Sequence, residues 1–216
     1  MIGGNGREAC RQIRAIEGRL FAGRLCFKTA DTDEITVESA GTQEKLGFRA
    51  YERDGVLHLQ TARRSVHCEK GSITVTLPEG VSLGEIDLEP QASKRLTAGS
   101  LRAERLTVVS DAGQVSIRDF SGKNVRFECG AGAFSGSGGA AETLAVTCGV
   151  GAVELRLKGS RRDYAHTLRC GIGEIRCGGE RYSGFGNQVC LEPQASKRLT
   201  AECGIGRIDI RYEAEP

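Results

Sequence analysis

Residues 125–136 read VRFECGAGAFSG, and residues 144–155, 19 positions further on, read LAVTCGVGAVEL. Apolar and polar residues alternate in both stretches. Leu144, Val146 and Cys148 share one parity, and Ala145 and Thr147 the other. A period of two is that of an extended strand with one buried face. Two glycines then flank a small or apolar residue, and a second short alternation follows, as in Val153 and Leu155. The unit is therefore a strand, a Gly-x-Gly corner and a second strand.

Three more copies surround this pair. Leu106–Ile117 (LTVVSDAGQVSI) lies one 19-residue step earlier; His166–Cys177 (HTLRCGIGEIRC) and Leu199–Ile210 (LTAECGIGRIDI) follow after longer gaps. The corners carry Gly130, Gly132, Gly149, Gly151, Gly171, Gly173, Gly204 and Gly206. Glycine suits a sharp corner because positive φ costs it little. One such unit cannot bury its apolar face alone, but a stack of them buries a continuous core. The expectation is an all-β chain: a β-solenoid, or β-helix-like stack, of roughly 19-residue rungs pairing in parallel in sequence order. Equivalent positions then form ladders. The inward ladder Cys129, Cys148, Cys170, Cys203 is expected to be a buried thiol stack rather than a disulfide or a metal site.

The sequence divides into a less regular N-terminal β region over residues 1–85, continuous with solenoid repeats over 86–216. A hairpin is expected near residues 48–59, around Asp54-Gly55. Ile73–Leu77 alternates and stops at Pro78. Ile13, Ile16 and Leu20 also fit a short helix, which Gly18 weakens. The segment LEPQASKRLTA occurs twice, at 88–98 and 191–201, 103 residues apart. Leu199 opens a strand before a corner, whereas Leu96 falls after one, so the identity is not the structural repeat. It has no physical account.

Composition narrows function. There are 30 glycines in 216 residues without a Gly-X-Y period, which excludes collagen. Thirty basic and 28 acidic residues leave a formal charge of +2, no pull toward nucleic acid. No apolar run reaches the roughly 18 residues of a membrane span. Residues 1–6 lack the basic start and apolar stretch of a signal peptide. An envelope location therefore needs a targeting segment outside this chain; otherwise the expectation is cytoplasmic. Nine cysteines occur without Cys-x-x-Cys spacing, and reduced thiols are the default.

Catalytic and binding chemistry is sparse. The outward columns before the corner read Val109, Glu128, Thr147, Arg169, Glu202 and Thr107, Arg126, Ala145, Thr167, Thr200. No two carboxylates are neighbours there, so no paired acid/base site is expected. His67 and Cys68 are adjacent, which sends them to opposite faces of a strand. His166 takes an inward column. The corners lack the aspartates of calcium-binding β-rolls, and no phosphate loop is present. No catalytic residue, cofactor or metal ligand is assigned. The longest insertion, 178–197, holds Arg181, Tyr182, Phe185 and Asn187. These form a candidate contact loop, or else a segment packed over an open end.

Ile73–Gly80 (ITVTLPEG), Cys170–Ile175 (CGIGEI), Tyr182–Gly186 (YSGFG) and Cys203–Ile208 (CGIGRI) resemble the bacterial family called "putative adhesins", a β-strand-repeat domain of unknown function. The resemblance covers roughly residues 12–212 and departs from the family at 88–98, where a corner would be expected. It implies a β-solenoid of extracytoplasmic or membrane-associated type, often attached to a transmembrane segment, with some relatives linked to envelope-stress sensing. It carries over no catalytic residue. Three readings follow: a non-enzymatic cell-envelope binding or scaffold domain, a carbohydrate-active β-helix enzyme, and a cytosolic module that self-associates through its ends. For the first, the partner is an unidentified protein, glycan or lipid-linked envelope component.

Overall fold

A computed structural model describes residues 7–10, 12–20, 24–40, 47–61, 71–90, 95–192 and 194–214. Among the described residues, twelve strands join in one sheet that winds around a single core. The long strand β9 (Arg95–Leu157) is one extended path of 63 residues passing through several coils. Its buried side chains recur at the expected parity: Leu106 and Val108, then Val125, Phe127 and Cys129, then Leu144, Val146 and Cys148. Phe127 stacks on Phe134 at 4.3 Å and meets the edge of Phe120 at 5.1 Å. Thin coils of small residues are filled at that level by three aromatic rings.

Toward one end, two rows of parallel strands continue the coil. Before the corner, β6 (Val56–Thr61) pairs with β2 (Ala15–Leu20), β2 with β8 (Leu83–Pro90), and β8 with β9. After the corner, β7 (Ser72–Pro78) pairs with β3 (Arg24–Ala30), and β3 with β9 at Arg95–Ala98. The segment that also fitted a helix is therefore a strand, since its alternate residues Ile16 and Leu20 are needed in the core. Antiparallel strands close this end. β5 (Phe48–Arg53) lies on β6, β4 (Ile35–Ala40) on β7, and β1 (Arg7–Cys10) on β4. The turn between β5 and β6 uses Asp54 and Gly55, both at positive φ.

At the other end the coils do not stack in sequence order. β12 (Lys197–Tyr212) lies directly on β9 over Thr143–Leu157, with Cys203 opposite Cys148. β10 (Tyr164–Cys177) lies outside β12, with Cys170 opposite Cys203. The expected neighbour of the 144–155 unit was 166–177; it is 199–210. The chain leaves β9 through Lys158–Asp163, builds the outer coil first and returns to fill the gap. Residues expected as a contact loop are mostly strand: β11 (Glu180–Leu191) pairs antiparallel with β10, from Cys177↔Glu180 to His166↔Leu191. The C-terminal strand is thus internal to the stack, and β11 forms its end. The N-terminal half has the same plan, with β6 and β7 lying outside β2 and β3.

Candidate binding surface

The corners decide what this stack shows to solvent. Pairing keeps one register through each corner, with Cys203 opposite Cys148 and Ile205 opposite Val150. The inward parity changes, from Ala201 and Cys203 before the corner to Ile208 and Ile210 after it. Only the second glycine of each pair has positive φ: 137° at Gly132, 142° at Gly151, 142° at Gly173 and 140° at Gly206. The first glycines, Gly130, Gly149, Gly171 and Gly204, do not, which corrects the expectation for them. They are glycine because of close approach. A Cβ on Gly149 would lie 2.4 Å from the Gly130 carbonyl oxygen, and one on Gly151 would lie 1.7 Å from that of Gly132.

Held between two such glycines, the apex residue cannot turn inward. The apex column runs Ala112, Ala131, Val150, Ile205, Ile172, with Phe185 of β11 opposite Ile172. Val150, Ile205, Ile172 and Phe185 are 52%, 50%, 48% and 86% exposed, and they are the exposed large hydrophobic residues among the described ones. At about 4.8 Å per strand, the four make a ridge about 15 Å long. Contiguous exposed apolar groups of this kind mark interaction sites more often than scattered ones do.

The flanks of the ridge are charged but paired across coils. Arg207 meets Glu154 at 2.6 Å, Arg169 meets Glu202 at 3.2 Å, and Arg181 meets Glu174 at 2.8 Å. Arg176 also engages Glu174, and its hydrogen bond, reinforced by the nearby guanidinium charges, holds that carboxyl below the usual carboxylate range. Exposed pairs add little stability, about 0–1 kcal/mol each. Their effect is to leave the apolar line between locally neutral borders.

The four candidate contact residues separate in the structure. Phe185 is the apex of the ridge. Asn187 braces the β11 corner, its amide donating to the carbonyls of Gly173 at 3.3 Å and Gly184 at 3.2 Å. Tyr182 packs its ring on the core and donates its hydroxyl to Glu180. Arg181 is held by Glu174. One of the four is thus presented to solvent, and three hold the strand that presents it.

Under the corners run the cysteines, in the spatial order Cys129, Cys148, Cys203, Cys170. All are buried and free. Their thiols donate to the carbonyls of Gly113, Gly132, Gly151 and Gly206 over 3.7–3.9 Å. Burial, with Cys148 and Cys170 on either side, pushes the Cys203 thiol up to about 11. Such a thiol is a poor nucleophile at neutral pH.

Two other groupings bear on catalysis. In the column after the corner, Glu154 faces Asp209 on the next strand, a carboxylate pair outside the columns considered from sequence. With Ser135, Arg156 and Arg211 they line a shallow pocket of about 190 Å³. Asp209 is paired with Arg211 at 3.1 Å and Glu154 with Arg207. A general acid needs a carboxyl in apolar, unpaired surroundings, and both of these are ion-paired. Inside the stack, His166 Nε2 meets the Tyr212 hydroxyl, which lies 3.5 Å from Cys177 Sγ. His166 is 2% exposed, closed to any substrate. His67 and Cys68 lie outside the described residues.

Val150, Ile205 and Ile172 were not singled out from sequence. The available signal was the apolar residue between each pair of glycines, on the outward side of the corner.

A coil of stacked parallel strands, closed by antiparallel strands and displaying an apolar line along one corner, defines a β-solenoid repeat domain. The chain belongs to the Toastrack DUF4097 family, whose model matches residues 23–164. Among solved structures, it is similar to a "putative cell adhesion protein" from Clostridium sporogenes, with 13% identity, a TM-score of 0.45, and coverage of 96% of this chain and 99% of that one. It is also similar to "putative adhesins" from Parabacteroides distasonis (11% identity, TM-score 0.35, 96% and 95% covered) and Bacteroides fragilis (11%, 0.32, 95% and 95%). No curated protein matches the chain.

Proposed function

We propose that this chain is a non-enzymatic binding or scaffold module of the bacterial cell envelope, extracytoplasmic or membrane-associated, and that the apolar corner ridge is its contact surface. The observation that carries the reading is the register of Val150, Ile205, Ile172 and Phe185 on a single edge of a hydrogen-bonded stack. A rigid array of apolar side chains loses little conformational entropy on docking. Its apolar chemistry favours a protein or lipid-linked component over a free glycan. Paired arginines on Glu154 and Asp209 weigh against the glycan-cleaving alternative.

The test is retention of the purified chain on isolated envelope fractions, compared with the double variant Val150→Ser, Ile205→Ser. Both side chains are half-exposed, so the melting temperature stays close to that of the parent, while retention falls about tenfold or more, the effect of losing roughly 1.4 kcal/mol. Equal retention removes the ridge from the function. Release of sugar from cell-wall glycan, abolished by Glu154→Gln, would replace this reading with an enzymatic one.

A further inference from the structure

The two ends of the stack differ in how they treat their unpaired strand edges. An edge strand offers free backbone N–H and C=O groups to any extended chain, and natural proteins blunt such edges with short strands, charges or proline. At one end the edge strands are short: β1 has four residues, and β5 has six, with the charges of Arg49, Glu52 and Arg53. At the other end β11 is 12 residues long. From Tyr182 to Leu191 it reads YSGFGNQVCL, with no charge and no proline. Its two charged residues are drawn back onto the stack, Glu180 by Arg161 at 3.2 Å and Arg181 by Glu174 at 2.8 Å. Among the described residues, β11 pairs with β10 alone.

We propose that β11 is a self-complementary edge through which two copies of the chain join end to end as a closed, two-fold dimer. The inference is independent of the ridge-binding reading above. Three features select a second copy. First, the opposite end is blunted, so a head-to-tail filament has no matching acceptor, whereas a two-fold contact uses one patch twice and closes. Second, the edge carries no charge to repel its own copy. Third, its side-chain parity fits antiparallel self-pairing in one register. The β11 corner shifts parity, so that Tyr182 and Val189 both point inward while Ser183 and Gln188 both point outward, as their partners Ile175, Leu168, Glu174 and Arg169 show. Antiparallel pairing centred between Phe185 and Gly186 then sets Tyr182 opposite Val189 of the second copy and Ser183 opposite its Gln188. Inward residues meet inward ones, as register requires. The Phe185 rings meet at the axis, and the two apolar ridges become one. A shift by one residue would oppose inward and outward residues throughout.

Light scattering coupled to size exclusion tests this on the full chain. The expected mass is twice the 23.1 kDa of one chain, falling toward one chain on dilution. A monomer at all concentrations, or a mass growing past two chains, overturns the proposal. Ser183 and Gln188 are exposed, so their substitution leaves folding intact, with circular dichroism as the check. Ser183→Lys with Gln188→Lys opposes like charges twice and is expected to yield monomer. Ser183→Lys with Gln188→Glu opposes unlike charges twice and is expected to restore the dimer. A dimer that persists in the like-charge variant, or fails to return in the unlike-charge one, overturns the register. Loss of envelope binding in the Val150, Ile205 variant with the dimer intact would leave this inference standing.

Discussion

Gly149 and Gly151 sit two residues apart for different physical reasons, and substitutions separate them. Gly151 combines φ of 142° with a carbonyl oxygen 1.7 Å from where a Cβ would stand. Gly149 has only the second problem, at 2.4 Å. Gly80 has only the first: its φ is 74° and nothing lies within 4 Å of an added Cβ. A left-handed conformation alone costs a non-glycine residue about 1–2 kcal/mol. The expected order of destabilisation is therefore Gly151→Ala, then Gly149→Ala, then Gly80→Ala. Gly80→Ala should cost about 1 kcal/mol and Gly151→Ala at least about 3 kcal/mol, as strain and displaced backbone add. Urea unfolding of the three variants checks the order, and a Gly80→Ala as damaging as Gly151→Ala would refute the close-approach account. The thiols make a second residue-scale case. Cys203 is raised from 9.0 to about 11, so the folded state keeps a proton that the unfolded chain releases first. The stability this contributes is fully present below pH 9 and is lost as pH rises through about 11. Cys203→Ala should flatten that alkaline loss. In the native protein at pH 8, a maleimide should modify exposed Cys190 and leave Cys129, Cys148 and Cys203 for the denatured chain, as mass spectrometry of digests would show.

At the scale of elements, much was legible and one step was not. Period-two alternation and the Gly-x-Gly corner disclose the solenoid because each coil repeats the same local problem: one face to bury and one tight bend to make. The order of the last two coils is invisible for the same reason. HTLRCGIGEIRC and LTAECGIGRIDI present equivalent ladders, so local pairing on β9 does not distinguish them. The connections decide. Lys158–Asp163 carries the chain past one layer, and β11 turns it back, which leaves β12 the inner place. Hydrogen exchange reads this directly. Amides of β12, which lies one strand deeper in the stack than β10, should exchange more slowly than those of β10, and β11 should exchange fastest, since opening at the end of a stack exposes the least apolar surface. Protection falling in sequence order, with β10 above β12, would contradict the observed stacking. The ridge was missed for a related reason. Ile and Val at an apex look like core residues, and it is the change of inward parity across each corner that leaves them outside.

For the whole molecule, the decisive contrast is between a line of apolar side chains and the compensated charges beside it. The chain carries 30 basic and 28 acidic residues, and near the ridge Arg207, Arg169 and Arg181 are matched to Glu154, Glu202 and Glu174. A contact made by attraction between opposite charges weakens as salt rises, because the screening length shrinks from about 10 Å at 0.1 M to about 3 Å at 1 M. A contact made by burying Val150, Ile205, Ile172 and Phe185 does not depend on that length, and excluded salts such as sulfate strengthen it. The family match ends at residue 164, so three of these four residues, and five of the six charged residues beside them, lie on coils beyond the matched segment. Retention on envelope fractions should therefore hold between 0.1 and about 1 M sodium chloride and rise in ammonium sulfate, and the Val150→Ser, Ile205→Ser variant should lose both properties. Retention that collapses on adding sodium chloride would assign binding to the charged flanks and leave the ridge without a part in it.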